Sequence, residues 1–174
     1  DQLQQGTLAA TRYQYDLAIR LLTRQYPDAL NDTFAYDPAS RLTAAVSQRY
    51  SNTVGREYEP NGLLRRETVN VSGNAFQIGY AYDAANRQTG VTYPDGMQVT
   101  RAFTVRNELS KVEAASPPLG SSLVASFVYD PSGRQLTKTF GNGLVETRTY
   151  RADNLIRTIK VTPTGSSSAK LDLA

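Results

Sequence analysis

An aromatic residue recurs every 21 to 26 positions along this chain, and an acidic residue usually follows it. The seven occurrences are Tyr15-Asp16, Tyr36-Asp37, Tyr58-Glu59, Tyr82-Asp83, Phe103-Thr104, Tyr129-Asp130 and Tyr150-Arg151. Such even spacing is typical of repeat proteins, in which each unit contacts mainly its neighbours. We number the units as repeats 1 to 7 and call the aromatic residue of each one its anchor.

The residues that follow each anchor have the composition of a tight turn. In repeat 6, Asp130, Pro131 and Gly133 occupy the positions at which a type I turn favours these residues. Arg follows the turn in four repeats, as Arg20, Arg41, Arg87 and Arg134. Because a recurring position builds a scaffold whereas a catalytic site occurs once, we interpret the acid as a turn cap and Arg as its partner, stacked on tyrosine or paired with the carboxylate. Repeats 5 and 7 have Thr104 and Arg151 in place of the acid.

A second turn lies about half a repeat after the first, as in Pro94-Asp95-Gly96 and Gly141-Asn142-Gly143. Each repeat is therefore predicted to run strand, turn, strand, turn. The residue types that suit strands, namely Thr, Val, Tyr, Phe and Ile, make up 50 of 174 residues. The sequence predicts an all-β fold of about fourteen antiparallel strands, a series of hairpins that forms a curved, superhelically wound sheet.

A second aromatic residue lies two positions before the anchor in four repeats, as Tyr13, Phe34, Tyr80 and Phe127. Because side chains alternate between the two faces of a strand, each of these residues shares a face with its anchor. The pairs are predicted to form a stripe of cross-strand contacts. An alternative role for this stripe is a stacking platform for sugars or single-stranded nucleic acid.

The repeat pattern also sets the expected domain boundaries. We predict a lead-in strand at residues 1–12, a repeat array at 13–162 and a flexible Ser/Gly-rich tail at 163–174. The longest interval between anchors contains a Pro/Ser/Gly-rich stretch at 116–122, which is predicted to be a loop insertion. The strand edges at the two ends of the array are expected to pair with further repeats or with another fragment of the same polypeptide.

Composition excludes several kinds of site. The chain contains no Cys and no His, so it cannot form a Cys-His or Ser-His-Asp arrangement or a zinc site built on those ligands. We predict no catalytic residue, no cofactor and no metal. The net charge of +3 without a basic block gives no indication of a nucleic-acid partner, and no apolar stretch approaches the length of a membrane helix. One enzymatic alternative is that Glu57 and Glu59 act as the carboxylate pair of a glycosidase.

Three segments carry a resemblance to a known family. They are Tyr36-Asp37-Pro38-Ala39-Ser40-Arg41-Leu42-Thr43, Tyr82-Asp83-Ala84-Ala85-Asn86-Arg87 and Tyr129-Asp130-Pro131-Ser132-Gly133-Arg134-Gln135-Leu136. These segments resemble the YD repeats of Rhs proteins, of the BC shell of bacterial Tc toxins and of teneurins, and the resemblance covers roughly residues 13–162. It implies a strand ribbon that spirals into a hollow shell, which encloses a toxic C-terminal effector in bacteria and supports cell adhesion in teneurins.

The resemblance does not extend to the functional end of those proteins. No segment matches the Rhs core that contains the self-cleaving aspartyl site, and no effector domain is expected within the chain, so neither activity is assigned to a residue. We expect a non-enzymatic shell segment of a secreted or cell-surface bacterial protein, whose partners are other segments of the same shell or parent polypeptide and an encapsulated effector. The alternative from another class is an adhesion or carbohydrate-binding module.

Overall fold

The structure is a computed structural model of the chain, and it describes residues 10–116, 120–166, 168 and 171–173. All regular secondary structure in these residues is β-strand. The chain divides between Gly79 and Tyr80 into two compact units, which are described separately. Nowhere in the described ranges is there a helix that is long and apolar enough to cross a membrane.

In the first unit, each strand pairs in antiparallel fashion with the next strand along the chain. The strands are β1 (Arg12–Tyr15), β2 (Leu21–Gln25), β3 (Asn31–Tyr36), β4 (Leu42–Ser47), β5 (Asn52–Tyr58), β6 (Leu64–Val71) and the first part of β7 (Asn74–Tyr82). The turns between them lie where Pro, Gly, Asn and Asp interrupt the strand-forming residues. The predicted series of antiparallel hairpins is therefore confirmed in this unit.

The second unit contains the end of β7 and eight further strands. These are β8 (Gln88–Thr92), β9 (Gln98–Phe103), β10 (Leu109–Ser116), β11 (Gly120–Tyr129), β12 (Gln135–Phe140), β13 (Leu144–Tyr150), β14 (Ile156–Pro163) and β15 (Leu171–Leu173). From β8 onwards each strand again pairs antiparallel with its successor. The described residues thus contain fifteen strands, one more than the sequence predicted.

Apolar side chains pack in rows across neighbouring strands instead of forming a deep core. One row on β3 to β6 consists of Phe34, Ala45, Val54 and Val69, which are direct cross-strand partners. Such partners share a face and interact across the sheet. Among the residues that the structure describes, only Val91 and Ala125 are both apolar and buried. With so little buried apolar surface, the contacts made at the turns matter for stability.

The stretch predicted to be a loop insertion is strand at each of its described positions, 116 and 120–122, so that prediction is wrong there. Ser116 pairs with Gly120, and Ala114 pairs with Ser122, which extends the hairpin of β10 and β11. Small Ser, Ala and Gly residues on both strands allow the backbone pairing to continue beyond its expected end. Residues 117–119 lie outside the described residues.

The predicted domain boundaries fall partly on residues that the structure does not describe. In the lead-in segment, 1–9 lie outside the described residues, and β1 begins at Arg12. In the tail, β14 extends to Pro163 and pairs with β15 at Leu171–Leu173, whereas 167, 169, 170 and 174 are not described. The division into lead-in strand, array and tail stays a prediction.

Candidate functional site

The turns after the anchors are the feature that recurs throughout the chain, and we number their five residues as positions 1 to 5. In all seven turns the N–H of position 1 donates to the carbonyl of position 5, and the N–H of position 4 donates to the carbonyl of position 1. Position 4 has a positive φ in every turn: Ile19, Ser40, Gly62, Asn86, Asn107, Gly133 and Asn154. This is a type I turn followed by a left-handed residue, a known three-residue hairpin connection. The repeats that lack the acid keep the same backbone.

The strand after the turn carries one extra residue in repeats 1 to 3 and 5 to 7. In repeat 2, for example, Tyr36 is opposite Leu42 but Ala35 is opposite Ala44, which leaves Thr43 as the extra residue. The equivalent residues elsewhere are Leu22, Arg65, Ser110, Leu136 and Arg157. A bulge of this kind disrupts the hydrogen-bond ladder locally and increases the twist of the strands.

Four repeats contain an ion pair between Asp at position 1 and Arg at position 5 of the turn. Asp37 accepts the backbone N–H of Arg41 at 2.9 Å through Oδ1 and its Nε–H at 2.6 Å through Oδ2. The same Nε to Oδ2 contact measures 2.6 Å in Asp16–Arg20, 2.7 Å in Asp83–Arg87 and 2.6 Å in Asp130–Arg134. We call this arrangement the Asp–Arg brace.

The brace favours the ionised form of each aspartate. The backbone hydrogen bond from the arginine is the largest cause that lowers the pKa of Asp16, Asp37 and Asp130, and burial opposes it without outweighing it. For Asp83, burial is the largest single effect and acts to raise the pKa, but the hydrogen bonds from Arg87 and Ala85 together lower the pKa. Each brace therefore contains a carboxylate that stays charged near neutral pH.

The arginine of a brace also reaches the next repeat. The Nη1 atom of Arg20 donates to the carbonyl of Asp37 at 3.1 Å, and that of Arg41 donates to the carbonyl of Glu59 at 3.3 Å. The guanidinium groups lie over the next anchor ring, at 5.0 Å for Arg20–Tyr36, 4.5 Å for Arg41–Tyr58, 4.7 Å for Arg87–Phe103 and 4.8 Å for Arg134–Tyr150. One arginine thus pairs with its own turn and stacks on the following one.

The anchor hydroxyl makes a second contact between repeats. Tyr36 donates to the carbonyl of Leu21 at 3.0 Å and Tyr58 donates to that of Leu42 at 2.8 Å. The same bond measures 2.8 Å for Tyr129 to Leu109 and 2.7 Å for Tyr150 to Gln135. In each case the carbonyl that accepts this bond immediately precedes the extra residue of the bulge. The bulge disrupts the hydrogen bonds between the strands there, and the tyrosine hydroxyl supplies a donor to that carbonyl. Phe103 has no hydroxyl, and the exposed Tyr15 makes no such bond within the described residues.

Repeat 5 lacks the brace but replaces both of its functions. Thr104 Oγ1 accepts the backbone N–H groups of Arg106 and Glu108, each at 3.2 Å, and donates to Glu108 Oε2 at 2.8 Å. Arg106 then reaches repeat 6, where it donates to the carbonyl of Asp130 at 2.8 Å and to that of Pro131 at 2.7 Å. The role of Arg106 was not predicted from sequence. The pattern that could have indicated it is an arginine at position 3 followed by an acid at position 5, here Glu108.

Repeats 3 and 7 use a different cap, at position 3 of the turn. Asn61 Oδ1 accepts the N–H of Leu63 at 3.3 Å, and Asp153 Oδ1 accepts the N–H of Leu155 at 3.2 Å. Asp153 also pairs with Arg151 at 2.9 Å. Because position 5 is leucine in both repeats, neither has the arginine that completes a brace. These two caps were also missed from sequence.

The carboxylate pair considered for a glycosidase forms surface ion pairs. Glu57 lies opposite Arg66 in the pairing of β5 with β6, and their side chains approach to 3.3 Å. Glu59 lies 3.9 Å from Arg65. The side chains of Glu57 and Glu59 are 53% and 40% exposed, so neither lies in a closed site. In the described part of the chain no group of three His, Cys, Asp or Glu side chains is placed to hold a metal ion.

Comparison with known proteins supports the repeat assignment. Residues 58–97 match the family model described as RHS Repeat, which confirms the recognition of YD repeats made from sequence. No curated protein matches the chain by sequence.

Solved structures show the same fold over nearly the whole chain. The crystal structure of TcdB2-TccC3-TEV has a TM-score of 0.65 and 14% identity, and the match covers 94% of this chain and 10% of that one. The structures of TcdB2-TccC3-Cdc42 and TcdB2-TccC3 each have a TM-score of 0.62 and 14% identity, over 94% of this chain and 11% of theirs. The chain therefore spans about a tenth of the length of the structures that it matches.

Proposed function

We propose that the chain is a non-enzymatic wall segment of a YD-repeat shell, which encloses an effector in a secreted or cell-surface bacterial protein of the Rhs or Tc type. Its partners are other segments of the same shell or parent polypeptide and the enclosed effector. The role is steric: a curved, continuous sheet separates the effector from proteases and from the surrounding cell until delivery.

The observation that carries this proposal is the contact between successive repeats. Arg20, Arg41, Arg87 and Arg134 each reach the anchor of the following repeat, and Arg106 makes the equivalent link from repeat 5. Contacts of this kind make the stability of one hairpin depend on its neighbour, as in other linear repeat arrays. A shell wall requires that each repeat be joined to the next along its whole length. A binding module requires instead one specialised site.

The predicted site residues have a structural role in this proposal. The anchors Tyr36, Tyr58, Phe103, Tyr129 and Tyr150 receive contacts from the preceding repeat or donate to it, and the acids hold the turns. A residue type that repeats at equivalent positions in most turns is used as scaffold. The similarity in fold to TcdB2-TccC3 structures and the match to the RHS repeat model agree with this role.

The proposal is tested by protection of the effector in the parent polypeptide. A non-specific protease is added, and the survival of the effector is followed by mass spectrometry. An intact wall should protect the effector, and the double variant Arg41→Ala/Arg134→Ala should shorten its lifetime several-fold, because two links between repeats are lost. Arg157→Ala is the matched control, since Arg157 is exposed and makes no ion pair or hydrogen bond among the described residues.

Two results would contradict the proposal. One is an effector that is degraded as fast within the parent polypeptide as it is alone. The other is a double variant whose effector survives as long as that of Arg157→Ala, because the links would then make no difference to the wall.

A further inference from the structure

A cavity of about 500 Å³ lies at the first three strands of the first unit, away from the anchor turns. Its lining residues are Arg12, Tyr13, Gln14, Thr23, Gln25 and Asn31. Arg12 is the direct cross-strand partner of Gln25, which in turn is the partner of Asn31. Gln14 is likewise opposite Thr23. Because cross-strand partners share a face, these five polar side chains lie together on one side of the sheet.

The lining is rich in hydrogen-bonding groups and has one sign of charge. It contains a guanidinium, three side-chain amides and a hydroxyl, together with Tyr13, and it contains no carboxylate. A volume of this size falls within the range of small-molecule sites, which is about 300–1,000 Å³. Amides and hydroxyls offer both donors and acceptors, so they suit a ligand that is itself rich in hydroxyl groups.

Arg12 is available to bind an anion. It is exposed and makes no ion pair, hydrogen bond or ring contact within the described part of the chain. Arg24, in contrast, is paired with Asp32, and Arg20 is paired with Asp16. A planar guanidinium without a partner matches the geometry of a carboxylate, which it binds through two parallel hydrogen bonds.

Asn31 provides a second, independent indication of a ligand. Its Oδ1 atom is buried and has no hydrogen-bond partner. A buried acceptor without a partner is costly, so native structures rarely retain one without a reason. Because Asn31 lines the cavity, rotation of its amide would present an acceptor to a hydroxyl group there.

We propose that this cavity binds an acidic sugar of the hexuronate type. Arg12 pairs with the sugar carboxylate, while the amides of Gln14, Gln25 and Asn31 and the hydroxyl of Thr23 bond the ring hydroxyls. Tyr13 of the aromatic stripe lines this cavity, but the proposed contacts are made by the polar side chains and not by ring stacking. Arginine covers the anchor rings of Tyr36, Tyr58, Phe103 and Tyr150. The proposal does not depend on the shell function, since it concerns one polar cavity at the first hairpins.

The test is an NMR titration of the full 174-residue chain labelled with ¹⁵N. Sodium D-glucuronate and sodium D-galacturonate are the probes, and D-glucose is the neutral comparison. We expect at least one uronate to shift the backbone amides of residues 12–31 in a saturable way. Glucose should bind at least tenfold more weakly, because it lacks the carboxylate.

Variants separate the proposed contacts from general surface binding. Arg12→Gln should weaken uronate binding at least tenfold, to the level of glucose, and Asn31→Ala should weaken both ligands. Arg157→Gln removes the same charge from an exposed position in another unit and should leave binding unchanged. Each variant should retain the amide spectrum of the folded chain outside the cavity.

Several results would overturn the proposal. They are the absence of saturable shifts for both uronates, shifts centred on the anchor turns, equal affinity of glucose and uronate, and full affinity in Arg12→Gln.

Discussion

Repeats 2 and 5 have the same turn backbone, but they hold it with different side chains. In repeat 2, Asp37 caps the turn and Arg41 stacks on the anchor of repeat 3. In repeat 5, Thr104 caps the turn, and Arg106 crosses to repeat 6 from position 3 instead of position 5. Capping a turn and linking it to the next repeat are thus two separate requirements. A single Asp–Arg brace meets both, and repeat 5 divides them between two residues.

Repeat 7 meets the first requirement with a residue at position 3 instead of position 1. Asp153 caps its turn, whereas Leu155 occupies the position of the linking arginine, and Arg151 pairs with Asp153. A mutation in a braced turn should therefore affect its own repeat and the next one, whereas a mutation in an unbraced turn such as that of repeat 7 should affect one repeat.

The largest effect is expected from removing a braced cap. Asp130 is 8% exposed and accepts bonds from the N–H of Ser132 at 2.9 Å, the N–H of Arg134 at 3.0 Å and its Nε–H at 2.6 Å. Asp130→Ala should lower the melting temperature by several degrees in thermal unfolding followed by circular dichroism, because it removes the acceptor of two backbone N–H groups and of the Arg134 Nε–H. Asp153→Ala is the matched control, since Asp153 is 55% exposed, and it should have a clearly smaller effect. Equal shifts would contradict the comparison.

Acid should weaken the braced repeats selectively. The pKa of Asp16, Asp37, Asp83 and Asp130 is lowered in the folded chain, whereas an unfolded aspartate has a pKa of about 3.9. Their stabilising contribution is therefore present above about pH 4 and is lost as the pH falls through the lowered values. Urea unfolding measured from pH 6 to pH 2.5 should show this loss, and Asp130→Asn should make it shallower. A pH profile that Asp130→Asn leaves unchanged would argue against the brace.

Position 4 allows two opposite substitutions. Ile19 adopts a φ of 61°, which a β-branched residue tolerates poorly, and its side chain is 83% exposed. Ile19→Asn should raise the free energy of unfolding by up to ~1 kcal/mol, because asparagine accepts the left-handed conformation more readily. Gly133→Ala should lower it by ~1 kcal/mol, since Gly133 has a φ of 79° and an added Cβ would lie 3.3 Å from Glu108 Oε1. Chemical unfolding measures both, and the same sign for both would refute this account of the turn.

The smallest expected change concerns the anchor hydroxyl. Tyr150→Phe removes the bond to the carbonyl of Gln135 and should cost ~0.5 kcal/mol of stability. Phe103→Tyr introduces a hydroxyl at the one anchor of phenylalanine type and should add ~0.5 kcal/mol. Chemical unfolding of the two variants tests whether the hydroxyl bond is general. A stability gain in Tyr150→Phe would contradict this.

Local turn chemistry was predictable from sequence because it depends on residues within one short segment. Asp130, Pro131 and Gly133 lie within four positions of each other, and their preferences together specify the turn. The same is true of the alternation of strands and turns, which the structure confirms as an antiparallel all-β fold.

The contacts between repeats were not predictable in the same way. Arg134 donates to Asn154, which is 20 positions away in the sequence. Whether these two side chains meet depends on the register of two hairpins. That register includes an extra residue, Leu136, whose position no composition signal reveals. From sequence, repeat 5 was recognised only as lacking an acid after its anchor. Its linking residue, Arg106, was missed because it lies at position 3, whereas the linking arginines of the other repeats lie at position 5.

The central claim is that the arginine of a braced repeat stabilises the repeat that follows it. Hydrogen exchange on Arg134→Ala, measured amide by amide, tests this claim most directly. The account predicts that protection falls at the turn of repeat 6 and also around Tyr150 and Asn154 in repeat 7, while repeat 5 keeps its protection. Loss of protection confined to repeat 6, or spread evenly over repeats 5, 6 and 7, would contradict it.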